Sequence, residues 1–114
     1  MCKVYLAIPY QHKDQKVMDH RVQMADKKAA ELMDQGYIVF SPITHSHRIA
    51  KHIKTSGHLN HDFWLHQDKH FLDWCDKLVV CTVSGWEESY GVNWEIGYIK
   101  QQGKPIEYLN CGGE

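Results

Sequence analysis

The sequence predicts an open α/β sheet, and three observations carry the prediction. Two short apolar runs, Val4–Ile8 and Tyr37–Phe40, flank a helical stripe. A third run, Leu78 to Val83, is followed by a Ser/Gly turn and another helical segment. At 114 residues the chain is long enough for one core but too short for a separate substrate domain, so one domain over 1–114 is expected.

Each element has its own warrant. Val4-Tyr5-Leu6-Ala7-Ile8 ends at Pro9 and reads as a buried strand followed by a loop. Met18, Val22, Ala25, Ala29 and Leu32 recur at spacings of four and three, which predicts a helix from near Asp14 that stops before Gly36. Tyr37–Phe40 is a second strand closed by Ser41-Pro42, and the strand, helix, strand order implies a parallel pair with a right-handed crossover. Asp62 to Cys75 reads as a helix, Leu78 to Val83 as a strand, Val92 to Gln102 as the last helix and Pro105 to Leu109 as a final strand, with Gly103 suited to a helix end. The expected product is a single flavodoxin-like, Rossmann-like domain. Its parallel sheet has four to five strands in the order 2-1-3-4(-5), with helices on both faces and a ligand crevice after Ile8 and after Val83.

Composition narrows the partners. A formal charge of −1 with 24% charged residues favours a small-molecule ligand over a nucleic acid polymer. No apolar run approaches the roughly 20 residues that cross a bilayer, and Met1 to Ile8 is too short and polar for a signal peptide, so no membrane partner and a cytoplasmic location are expected. Cys2, Cys75, Cys81 and Cys111 show no paired spacing and read as reduced, mostly buried thiols. Between Phe40 and Asp62 lie Arg48, Lys51, Lys54 and five of the nine histidines, without Asp or Glu. This reads either as a lid hinged at Gly57 or as a solvated loop with a short helix near Ile49 to Ile53. His66 with His70, and His58 with His61, have helical spacings that a metal would accept, but no cysteine joins them, and neither a metal nor a cofactor is expected. His45 and His47, at alternating positions after the second strand, are better placed for a ligand.

Two carboxylates stand out. Trp64, Asp68, Phe71 and Cys75 share a helix face. An acid in that apolar stripe either has its pKa raised, as a general acid requires, or sits at the edge facing water. Glu95 follows Ser89-Tyr90-Gly91 near a helix start, where the dipole favours an ionised carboxylate; the missing side chain at Gly91, one turn earlier, leaves it open to a ligand. A lone Glu on an amphipathic helix commonly faces solvent instead. One acid and one nucleophile with pKa values pushed apart suit cleavage of a glycosidic bond. Ser89 is a helix cap whose neighbouring N–H groups could hold an anion, and Trp86 is either packing or a base-stacking ring. Asp73 and Asp76 read as structural.

These residues resemble the nucleoside 2-deoxyribosyltransferase superfamily, including its nucleoside 5′-monophosphate N-glycosidases. The likeness rests on Val4-Tyr5-Leu6-Ala7, on Asp68 eight residues before Asp76, and on Ser89-x-Gly91-x-x-x-Glu95-x-Gly97. It is closer to a small bacterial and phage family within that superfamily, through Pro9-Tyr10-x-His12, Arg21, Val39-Phe40-Ser41, Ser46-His47, Trp64-x-x-x-Asp68 and Gly85-Trp86-x-x-Ser89. The resemblance implies that Glu95 is the nucleophile, that Tyr5 orients it, and that Asp68 assists the leaving base or holds a sugar hydroxyl. It also implies at least a homodimer. The transferases carry Asp at the position of Ser89, whereas the monophosphate glycosidases carry a Ser that contacts phosphate. The leading expectation is therefore hydrolysis of a nucleotide N-glycosidic bond, with sequestration of a nucleotide without turnover, or deoxyribosyl transfer, as alternatives. Ala7-Ile8-Pro9-Tyr10 replaces the Gly-Ser-Ile-Arg-like phosphate loop of the glycosidases, which leaves His12, Arg21, His47 or the cationic segment to hold a phosphate.

Overall fold

The computed structural model describes residues 2–54 and 61–111. Four parallel strands, β1 (Lys3–Ala7), β2 (Ile38–Phe40), β3 (Lys77–Cys81) and β4 (Ile106–Leu109), form one sheet in the order β2-β1-β3-β4, as expected. Helices α1 (Gln15–Asp34), α2 (Pro42–Ile49), α3 (His61–Trp74) and α4 (Tyr90–Gln101) connect them, with short 3-10 turns at Ala50–His52 and Trp86–Glu88. None of the described helices is long and apolar enough to cross a membrane.

Strand alternation divides the core. Val4, Leu6, Val79 and Cys81 face one side and pack against Met24, Ala25, Ala29 and Leu32 of α1. Tyr5, Ala7, Leu78 and Val80 face the other side and pack against Leu72 of α3 and Val92, Ile96 and Ile99 of α4. The parity matters, because it turns Tyr5 toward the two helices that carry Asp68 and Glu95. β1 and β3 are the interior strands, paired from Val4 with Lys77 to Ala7 with Val80, so the switch point lies at their C-terminal ends.

Two expectations need correction. The segment after β2 is largely helical: Pro42 takes the first helical position, where its missing N–H is no loss, and Ile43 anchors the turn in the core. Its run of polar residues hid a helix that buries only one edge. The lid hinge at Gly57, and His58, lie outside the described residues.

The cysteines are also not all reduced. Cys81 and Cys111 form a disulfide, while Cys2 and Cys75 are free. The crossover through α4 lays β4 beside β3 with Leu109 opposite Cys81, and Cys111 follows two residues later. Partners 30 residues apart, joined by a parallel pairing, leave no short spacing to read. Under the loop-closure account this cross-link stabilises by about 3–4 kcal/mol. Cys111→Ser is therefore expected to lower the unfolding free energy from denaturant titration by that amount relative to oxidised protein. Full reduction should produce the same shift in the parent and none in the variant.

Candidate active site

A cleft of about 540 Å³ opens at the C-terminal ends of β1 and β3. This is within the range of small-molecule sites. Its walls come from the segment after β1 (Ile8, Tyr10, Gln11), from α2, from α3 and from the start of α4, so the crevice lies where the strand order predicts.

Asp68 and Glu95 both line it. The buried stripe of α3 is Leu65, Asp68 and Leu72, continued by Cys75 just past its end and rotated by about one residue from the expected Trp64–Phe71 face, which leaves Asp68 inside it. Burial raises its pKa to about 7.

Glu95 departs from expectation. It lies in the second turn of α4 rather than the first, and it is only 6% exposed. The helix dipole fades beyond the first turn, so burial dominates. Desolvation, aided by the nearby Asp68 charge and opposed by a hydrogen bond from Tyr5, lifts its pKa to about 8. The Tyr5 hydroxyl, fully buried on β1, donates to Glu95 Oε2, and burial together with the Glu95 charge raises the phenol well above its usual value.

Ser89 caps α4, its Oγ accepting from Val92 N at 3.2 Å, and still borders the cleft. Gly91 also borders it, and a Cβ added there would meet nothing within 4 Å, so the gap before Glu95 is real. Tyr10, Ser46, His47 and Trp64 complete the expected residues that reach the cleft.

The remaining candidates do not. Pro9 is buried behind the wall. His12 is exposed and accepts from Asp14 N at 2.9 Å, setting up the entry to α1. His45 and His47 sit two apart on a helix, not a strand, so they diverge: His45 lies against Phe40 and Phe71 and borders a side cavity of about 160 Å³. Asp68, Ser46 and Trp64 separate that cavity from the main cleft. Trp86 packs near Tyr108, with ring centroids 5.6 Å apart. Asp73 accepts from Tyr98 and Gln102, and Asp76 accepts from Lys3 N, the structural roles expected of them.

Arg21, expected at a phosphate, is buried on α1 and donates instead to Gln11 O (3.1 Å) and Ser84 O (2.9 Å). It joins the segments following β1 and β3, the two lips of the switch point. Gly85 sits beside it with φ of 89°, and a Cβ there would stand 2.9 Å from Arg21 Nη2, so this turn requires glycine.

Among the residues missed in sequence, Met18 and Ile43 line the apolar side of the cleft, and His61 stacks on Tyr90 at its rim with centroids 4.4 Å apart. The His61–Tyr90 pair joins the starts of two helices and has no local signature. Among the described residues no group of three or more His, Cys, Asp or Glu could hold a metal; His66 and His70 meet edge to face on the surface.

A family model described as "Domain of unknown function (DUF1937)" matches residues 2–110. The chain belongs to this family. A solved 2-deoxyribosyltransferase from the psychrotolerant bacterium Bacillus psychrosaccharolyticus superposes with a TM-score of 0.71 at 23% identity, over 98% of this chain and 74% of that one. The likeness establishes a common fold. No curated protein matches the sequence.

Two outcomes follow from the site. Arg21→Met removes two charge-assisted hydrogen bonds to backbone carbonyls, so it is expected to lower unfolding free energy by roughly 2–3 kcal/mol in urea titration. Both cleft carboxyls also have folded pKa values, about 7 and about 8, above their unfolded ones. The folded state then holds more protons than the unfolded chain. The resulting stability is full below the unfolded carboxyl values near pH ~4 and is lost as pH rises through the folded values. The thermal midpoint should fall by several degrees between about pH 5 and about pH 9, and the fall should be shallower in Glu95→Gln, measured by calorimetry.

Proposed function

We propose that the protein cleaves the N-glycosidic bond of a nucleoside through a glycosyl-enzyme on Glu95, and passes the sugar to a second base. One observation carries this reading: two buried carboxyls from different helices, Asp68 and Glu95, border a single cleft, and one of them is hydrogen-bonded by a buried tyrosine.

The chemistry follows from those positions. The Glu95 carboxylate attacks the anomeric carbon as the bond to the base breaks, and Asp68 gives its proton to the departing base nitrogen. The nitrogen of an incoming base then attacks the same carbon and expels Glu95, returning a proton to Asp68. Tyr5 donates to the carboxylate and stabilises its ionised form where burial disfavours it. The activity named for the similarly folded 2-deoxyribosyltransferase supports transfer as the outcome.

An uncharged nucleoside suits the walls better than a monophosphate. No lysine or arginine lines the cleft among the described residues, while Asp68, Glu88 and Glu95 do. Arg21 is committed to backbone carbonyls, and the Ser89 hydroxyl accepts the Val92 N–H as a cap. Hydrolysis, with water as acceptor, is the second reading, supported by serine at position 89 where the resembling transferases carry Asp.

The test incubates the protein with a panel of ribo- and deoxynucleosides, each with and without a second free base, and with the matching 5′-monophosphates. Exchanged nucleoside supports transfer, and free base alone supports hydrolysis. Ligand recovered unchanged but raising the thermal midpoint would mean sequestration and would overturn the enzymatic reading. Glu95→Gln should abolish product, and Asp68→Asn should slow it by roughly 10²–10⁴-fold.

The pH profile is a separate check. Below the Glu95 value of about 8 the nucleophile takes up a proton, and above the Asp68 value of about 7 the acid loses one. kcat/KM should therefore peak between these two values and fall on both sides. Asp68→Asn should remove the alkaline fall.

A further inference from the structure

We propose that Tyr10, held by His47 and Asp19, is the acceptor for a sugar hydroxyl of the ligand and so sets which sugars the cleft admits. The proposal rests on the nucleoside reading above and adds the element that recognises the sugar. Tyr10 and His47 both line the cleft, on the segment after β1 and on α2. The Tyr10 hydroxyl lies 2.7 Å from His47 Nδ1, and the rings meet edge to face. His47 Nε2 in turn lies 3.7 Å from Asp19 Oδ1 of α1, which also accepts from Gln15 Nε2 at 3.0 Å.

An imidazole that carries its proton on Nε2, the nitrogen facing the Asp19 carboxylate at 3.7 Å, presents Nδ1 as the acceptor for the Tyr10 hydroxyl. In that tautomer the Tyr10 proton is directed at His47, and the phenol oxygen keeps lone pairs to accept from a ligand in the cleft. Such an oxygen receives an O–H and repels an anion. A nucleoside offers sugar hydroxyls there, whereas a phosphate offers no proton at neutral pH. Sequence spacing cannot reveal the arrangement, because its three residues come from α1, α2 and the segment between β1 and α1.

The experiment measures binding rather than turnover, so that failure of the catalytic reading leaves it intact. Calorimetric Kd values are compared for 2′-deoxyadenosine, 2′-deoxycytidine and thymidine and for their 3′-deoxy and 5′-deoxy counterparts, with the parent protein and with Tyr10→Phe. One of the two deletions is expected to weaken binding by about 5- to 10-fold in the parent, identifying the hydroxyl, and Tyr10→Phe should erase that difference. His47→Asn, which keeps an acceptor near the Nδ1 position, should retain much of the discrimination, and His47→Ala should lose it. A Tyr10→Phe protein that binds every analogue more weakly by the same factor, or that discriminates as the parent does, would overturn the assignment. So would a parent that binds none of the analogues, or that binds all of them equally.

Discussion

A carboxylate buried against the central strand is the constraint on which this structure turns. Glu95 extends from α4 to a buried position on the cleft wall where little water reaches its charge, and the hydroxyl that meets it belongs to Tyr5 on an interior strand. The contact spans the sheet-to-helix interface, so the rotation of α4, the depth of the cleft and the state of the carboxyl are set together. Desolvation alone would keep the acid protonated. The tyrosine partly offsets it, which holds the carboxyl pKa at about 8.

Much of the polarity near the cleft is structural. Arg21 holds the segments after β1 and β3 together, Ser89 caps α4, and His12 fixes the approach to α1. Each is also a candidate ligand contact in the sequence. Releasing a buried guanidinium from two carbonyls to a substrate would cost the fold more than a surface contact returns. The described cleft wall is mainly apolar, with the carboxyl groups of Asp68, Glu88 and Glu95 and the imidazoles of His47 and His61.

The elements that were readable in sequence share one property: their signal is local. The stripe of Ala25, Ala29 and Leu32 marked α1, the runs at Val4–Ile8 and Leu78 marked the interior strands, and glycine or proline marked the ends. Asp68 was readable too, since its place in an apolar stripe follows from helical periodicity even though the stripe is rotated. The elements that were hidden depend on distant partners. α2 buries only a narrow edge, so its many polar side chains resemble a loop. Cys81 and Cys111 meet because β4 pairs with β3. The Tyr10, His47 and Asp19 contacts join three separate segments.

The amino-acid order by itself determined the strand sequence, the parallel crossovers and hence the end of the sheet at which a ligand cleft must open, because hydrophobic period and turn chemistry act over a few residues. Only the tertiary structure decided what the cleft is made of. It set how deeply Glu95 is withdrawn from water, and that desolvation overrode the helix dipole that local reasoning had favoured. It also decided that Arg21 faces carbonyls, since burial and partner choice are properties of the packed whole.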